Sequence, residues 1–385
     1  MNKLTKAFFM LTLLFGGWAL SSCEPDGGEP TPTTTGIELL TSTPLIVADG
    51  EEEAVLTVKF NGVDVTDSAL IYMNKKRVKS NRFSTEKPGV YDFFASYKGK
   101  VSKTITIQAA NPALYVALPA DSQPEKFDGF DRKVLVAEGT GTWCGYCPYM
   151  IKALELFCES GANADKAVVV AAHSGDEFGN AASDAAIRVM QILNFPSCVL
   201  NLNPEVLVMN QGLEVNVENI NSMVGMELLD KARVGISAST ALSVDSTIVG
   251  VRAAVKVGIE GNYRINAWLI EDGVPAVQTS NWPDFSDGMA NVLIDHNHIL
   301  RDASCTSFIQ GQVLSRKGAC AAGEVIEFYH EFNTVAANVA NVANCKIAVL
   351  VSATSGTSSN YYVNNIIECH VGDSVPFAYN TTDED

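Results

Sequence analysis

The sequence predicts a multidomain chain in which an N-terminal all-β sandwich and a C-terminal antiparallel β-sandwich flank a central α/β domain. Three observations carry this reading. From Ile37 to Ala110, short alternating runs such as "AVLTVKF" are punctuated by the turn pairs Asn61-Gly62 and Lys98-Gly99. From Pro112 to Lys231, strand-like and helical periods alternate, the signature of α/β structure. From Arg233 to Tyr379, strand-like runs return, among them "YRINAWLIEDG" and "CKIAVLVSAT". With 385 residues, 47% of them hydrophobic, the chain has material for two or three cores.

The first 22 residues belong to none of these cores. Lys3 and Lys6 precede "AFFMLTLLFGGWAL", an apolar run too short to remain as a spanning helix, and the run closes on "LSSC". Small residues ahead of Cys23 resemble the lipobox of bacterial lipoproteins. That resemblance implies cleavage before Cys23 and acylation, palmitate included, on the new N-terminus. An ordinary secretory leader followed by a chance cysteine is the alternative. No other stretch has transmembrane length, so the lipid on Cys23 would be the membrane contact. Residues 23–36, "CEPDGGEPTPTTTG", are Pro/Gly/Thr-rich and aperiodic, and read as a flexible tether.

The formal charge is −17, or −19 once Lys3 and Lys6 leave with the leader, and no basic run interrupts it. Nucleic-acid binding is excluded as a function class, because phosphate neutralisation needs the opposite sign. Export also changes the meaning of the nine cysteines. The eight beyond Cys23 are an even number in a compartment that permits disulfides.

Within residues 37–110, the stretch "KPGVYDFFASYKGK" is similar to bacterial immunoglobulin-like modules, which implies a spacer rather than a catalytic domain. Residues 111–232 hold "RKVLVAEG" as a buried strand, "PYMIKALELFCES" as an apolar helix, "KAVVVAAH" as a second strand and "NAASDAAIRVMQIL" as a second helix. "SCVLNL" and "EVLVM" follow as strands, then "VENINSMVGMELLDKA" as an amphipathic helix. Residues 233–385 read as strands throughout, with no internal repeat.

The chemistry concentrates in "TWCGYCPYM", Thr142 to Met150. A strand running into Cys-x-x-Cys at a helix start puts Cys144 where free N–H groups and the helix dipole stabilise a thiolate. Cys147, one turn in, can resolve a mixed disulfide. Gly145 lets the turn close, and Pro148 fits a first helical turn, where no backbone donor is lost. A zinc half-site and a closed structural disulfide are the alternatives. No second cysteine pair at zinc-finger spacing exists, and five scattered histidines offer no partner motif, so no metal or other cofactor is expected.

Here the sequence resembles the thioredoxin superfamily. Glu138 lies six residues before Cys144, where the superfamily keeps a buried acid that handles the proton of the resolving thiol. Pro196, in "NFPSC", lies just before a strand, where the superfamily has a cis-proline facing the dithiol. The resemblance makes Phe195 its variable predecessor, and Trp143, Tyr146 and Phe195 the walls of a substrate groove. A satisfied strand-end acid and an ordinary trans turn are the bland readings of Glu138 and Pro196.

Cys345 and Cys369 flank "SGTSS" symmetrically and are expected to face each other as a disulfide; Cys305 and Cys320 bracket another turn and are the next expected pair. Cys158 and Cys198 read as buried small hydrophobes, mutual pairing being the lesser alternative. His173 and Asp176 leave a strand end near the active-site edge, where a loop-capping role competes with a groove role. "DHNH", Asp295 to His298, sets His296 and His298 on one face of a strand without a visible third ligand.

From Val134 to Tyr379, the C-x-x-C-P motif followed by a β domain with "DHNHILR" resembles the Bacteroides-type outer-membrane-protein-28-related lipoproteins. Membership implies an outer-membrane location, with surface exposure open, but no settled activity. The immunoglobulin-like module is an addition to shorter members. Two functions follow as expectations. One is a lipid-anchored thiol–disulfide oxidoreductase or isomerase acting on envelope proteins. The other is a non-catalytic adhesion or binding lipoprotein in which the thioredoxin-like part is scaffold.

Overall fold

The computed structural model describes residues 36–315, 318–354 and 360–380. The leader, Cys23 and nearly all of the tether lie outside the described residues.

The N-terminal module is two sheets around one core. The first orders Ile37–Thr41, Ala54–Phe60 and Val63–Asp64, with Arg82–Phe83 also on the Ala54 strand. The second orders Leu45–Val47, Ile105–Ala110, Gly89–Tyr97, Leu70–Met73 and Lys76–Val78. Alternate residues turn inward: Leu56 and Val58 from one sheet meet Phe93, Ala95 and Ile107 from the other. Asn61 and Gly62 both take positive φ, 51° and 82°, as the right-handed twist of a two-residue hairpin demands.

The next unit runs strand Val134–Thr140, helix Cys147–Ser160, strand Ala167–His173, helix Ala181–Met190, strands Ser197–Leu200 and Leu207–Met209, and helix Leu213–Glu227. Val134–Thr140 is buried along its whole length because both its faces are covered. Leu135 and Ala137 pack with Ala182, Ala186 and Met190 of one helix. Val134 and Val136 pack on the other face with Met150, Leu154 and Phe157, and with Ile220 and Val224. Ala167–His173 lies parallel beside this strand and Ser197–Leu200 antiparallel on its other side, with Leu207–Met209 outermost.

That sheet continues past the boundary expected at 232/233. Ile299–Ala303 joins parallel to Ala167–His173 through the pair Ala171 and Ile299, and the Ala171 N–H donates to the His298 carbonyl at 2.7 Å. Tyr263–Glu271, Cys345–Thr354 and Tyr361–His370 complete a nine-stranded sheet with the two-residue strand Gln312–Val313. A second sheet of Val325–Asn333, Ile248–Val257, Val234–Leu242 and Ser374–Val375 packs on its C-terminal half. Val249, Val251 and Val255 meet Ile265, Leu269 and Val349 there. The α/β unit and the C-terminal β layers are therefore two ends of one sheet. A separate hairpin, Val274–Thr279 with Asn291–His296, leaves this β region and reaches back to the α/β unit. No helix among the described residues is long and apolar enough to cross a membrane.

Candidate dithiol site

The strand Val134–Thr140 delivers the chain to Gly141, and a turn closed by the Cys147 N–H on the Cys144 carbonyl (3.2 Å) leads into the helix. The helix opens at Cys147, so Cys144 sits in the turn ahead of it rather than within the first helical turn. Pro148 occupies that first turn, as expected of a residue without an N–H. Cys144 and Cys147 are joined as a disulfide, with Cα atoms 5.4 Å apart.

Asp176 braces this loop. One carboxylate oxygen accepts the Thr142 N–H (2.8 Å) and faces His173 Nδ1 (2.7 Å); the other accepts from Phe178 and Gly179 N–H groups. Burial raises its pKa, yet the His173 contact and the backbone donors outweigh it and hold the carboxyl below its ordinary value. His173 and Asp176 are both buried, and they tie the cysteine loop to the end of the neighbouring strand.

Glu138 shares the face of its strand that Val134 and Val136 turn toward the Cys147–Ser160 helix. It is buried, its Oε1 has no hydrogen-bond partner, and desolvation pushes its pKa up to about 8. Cys198 sits opposite it in antiparallel register, and burial, with the Glu138 charge second, drives that thiol well up. Pro196 is buried at the start of the Cys198 strand, behind a cis Phe195–Pro196 bond. Trp143 and Tyr146 form an exposed rim, 51% and 58% accessible. Trp143 donates its indole N–H to the Ser174 carbonyl (2.7 Å) and meets Phe195 edge-on at 5.7 Å.

The two sulfurs are not on that rim. The hairpin from the β region covers them: Thr279 N–H donates to the Thr142 carbonyl and Asn281 N–H to the Gly145 carbonyl, each at 2.8 Å. The Gln278 amide donates to the Cys144 carbonyl at 2.9 Å and the Gly141 carbonyl at 3.3 Å. Trp282 stacks on Tyr149 at 4.8 Å. The approach needs Gly145, because a Cβ there would lie 2.5 Å from the Asn281 side chain. Cys144 is left 4% accessible and Cys147 not at all. Gln278, Asn281 and Trp282 were invisible to sequence reasoning; they carry no motif and pair with a loop more than 130 residues away.

Three cysteine expectations are corrected. The strands after Cys345 pair Thr354 with Tyr361, and a bulge at Val351/Ser352 shifts the register further, so that Cys369 opposes Ile347. Cys345 falls beside Val371, whose N–H donates to its carbonyl at 3.1 Å, and both cysteines are free buried thiols. Cys320 is also free, which rules out Cys305–Cys320. The Cys305 N–H is held by the Asn266 side chain and Cys320 bridges to Gly261, five positions away along an extended chain, roughly 16 Å and beyond disulfide reach. Cys158 is exposed rather than buried, and it and Cys198 are both free. Cys158 lies eleven residues past Cys147, roughly 16 Å along the helix. His298 is not on a strand: the strand ends at His296 and His298 takes φ 61° in a turn. No group of three or more metal-ligating side chains occurs among the described residues.

These features define a mostly β, multidomain protein whose α/β unit carries a Cys-x-x-Cys disulfide under a hairpin from the β region. Residues 183–375, half of the chain, match the family described as outer membrane protein Omp28. The chain belongs to the Omp28 family of outer-membrane proteins. Among solved structures it is similar to HBP35 of Porphyromonas gingivalis, with 16% identity and a TM-score of 0.49 over 67% of this chain and 80% of that one. It is also similar to a domain of the outer membrane lipoprotein Omp28 from Porphyromonas gingivalis, with 12% identity and a TM-score of 0.21 over 38% of this chain and 92% of that one. No curated protein matches the chain.

Proposed function

We propose that the α/β unit is a thioredoxin-like domain and that the protein is a lipid-anchored thiol–disulfide oxidoreductase or isomerase of the cell envelope, held to the membrane through Cys23. One observation carries this reading over a structural staple: Glu138, a buried carboxyl with an unpartnered oxygen, under the helix that Cys147 opens. A staple has no use for an ionisable group that costs stability, whereas a dithiol needs a local proton store. In this reading a substrate thiolate attacks Cys144 and opens the disulfide. Cys147 leaves as thiolate and takes a proton from Glu138. Pro196 and the Trp143, Tyr146 and Phe195 rim receive the substrate chain. The immunoglobulin-like module serves as a spacer, and the partners are envelope or surface proteins.

A second reading rests on the burial of both sulfurs: a non-catalytic binding lipoprotein in which the disulfide only closes the loop. The two separate cleanly. Cys147→Ala in the full-length protein leaves the Cys144 thiol to attack substrate disulfides, the same exchange run in reverse with a substrate thiolate leaving. This variant is expected to trap envelope proteins as mixed disulfides that disappear in Cys144→Ala. Absence of any trapped species, with partner binding intact when both cysteines are replaced, would establish the scaffold instead.

A further inference from the structure

The covered front of the disulfide raises a question that the back of the site answers. With Cys144 only 4% accessible and Cys147 fully buried, a proton gained or lost by Glu138 has no open route past them. Behind Glu138 lies a crevice of about 30 Å³, lined by Glu138, Leu154, Glu155, His173, His296 and His298 among others. That volume holds one or two waters. Four buried polar atoms on residues of its wall lack a hydrogen-bond partner: Glu138 Oε1 and His296 Nε2, on residues only 2% and 3% accessible, with Thr140 Oγ1 and His298 Nδ1. Orphaned groups gathered on one polar crevice are what ordered internal water satisfies. The His296 ring is fixed against His173 (5.4 Å) and Phe178 (5.3 Å). The crevice reaches solvent beside Glu155 and His298, whose side chains are 32% and 24% exposed.

We infer that His296, delivered by the hairpin of the β region, is a positioning residue for proton exchange at Glu138: its Nε2 and Glu138 Oε1 hold water between them, and through it the carboxyl exchanges its proton with solvent at the Glu155 mouth. The inference takes its purpose from the oxidoreductase reading. When thiolate attack on Cys144 breaks the S–S bond, Cys147 takes the Glu138 proton, and the crevice water returns a proton to the carboxylate. The ionisable groups facing Glu138 are Cys198 from the adjacent strand, Glu155 from the helix, His173 from the parallel strand, and His296 and His298 from the hairpin end. Burial first, and His173 next, push His296 down to about 4, so its ring is neutral and free to accept from water at envelope pH.

The test uses the oxidised full-length protein and needs no turnover. With carboxyl-¹³C glutamate, the Glu138 signal is followed from acid to alkaline pH, and its proton-exchange rate is read from line shape. His296→Phe, which fills the crevice, is expected to slow that exchange at least tenfold and move the midpoint upward; His296→Gln, which can still bind water, is expected to restore both. Identical exchange and midpoint in the wild type and His296→Phe would overturn the inference. The wild type offers a check independent of any variant's folding: a long-lived water must transfer magnetisation to the His296 ring protons, and a dry crevice would overturn the inference too. Failure of the mixed-disulfide trap would remove the enzyme reading while leaving this result standing, and an unchanged Glu138 would do the reverse.

Discussion

Two cysteine pairs in this protein invite the same expectation and meet opposite fates. Cys144 and Cys147, three residues apart, are bonded; Cys345 and Cys369, on neighbouring strands of one hairpin, are not. The first pair is positioned by a single turn that Gly141, Gly145 and the helix start define locally. The second depends on the register of two ten-residue strands. One bulge and the pairing of Thr354 with Tyr361 displace that register by two residues, enough to put Cys345 beside Val371. Proximity through a turn is a local property, whereas proximity across a ladder accumulates every irregularity between the turn and the pair.

The contrast can be attacked most strongly through reactivity. Burial pushes Cys345 up to about 12 and Cys369 up to about 11, so at pH 8 roughly a thousandth or less of each is thiolate. Alkylation of the native protein should therefore be slower than at a free cysteine by about a thousandfold at Cys345 and about a hundredfold at Cys369, with both recovered as free thiols by mass spectrometry after unfolding. A Cys345–Cys369 bridge in protein isolated from the envelope would refute the observed register.

The next effect concerns Glu138. Its folded pKa of about 8 lies above its ordinary value of 4.5, so between these values the native state keeps a proton that the unfolded state has lost. Stability must fall as pH rises through that window. Glu138→Gln should abolish this slope, stabilising the oxidised protein at pH 8 by about 4 kcal/mol and by under about 1 kcal/mol at pH 5, as read from urea unfolding. An unaltered slope would mean that Glu138 is ionised in the folded protein.

A smaller change should follow from loosening the cover. Gln278→Ala removes the amide that holds the Cys144 and Gly141 carbonyls, and Gly145→Ala forces Asn281 away. Each should speed reduction of the disulfide by a small dithiol about tenfold, since one hydrogen bond to a buried carbonyl contributes about 1 kcal/mol. Unchanged rates in both would show that other contacts keep the hairpin closed. Least of all, Cys345→Ala should lower stability by only about 1 kcal/mol, the effect of a small cavity, and leave the number of disulfides unaltered. A much larger loss would reveal a covalent role for Cys345.

Much of the local architecture was legible from residue order. The Asn61-Gly62 hairpin, the buried run from Val134, the dithiol ahead of its helix and the capping of Phe178 and Gly179 by Asp176 are all short-range consequences of φ preference, periodicity and reach. The even alternation of the β regions disclosed their type but not their partners. Nothing in "QTSNWP" signals a cover for a loop near residue 145, and nothing in "DHNH" distinguishes a strand face from a chain end that turns His296 toward Glu138's crevice.

The sequence alone determined which residues could do chemistry: the dithiol at a helix start and the acid six residues ahead of it. Only the tertiary structure decided which of them are open. It joined the α/β unit to the β layers as one sheet, laid the hairpin over the sulfurs, parted Cys345 from Cys369, and brought His296 and Glu138 to one cavity. The physical reason is range. Backbone preference acts over a few residues, so turns and helix starts can be read along the chain. Burial and strand register depend on surfaces that come together only when distant segments pack.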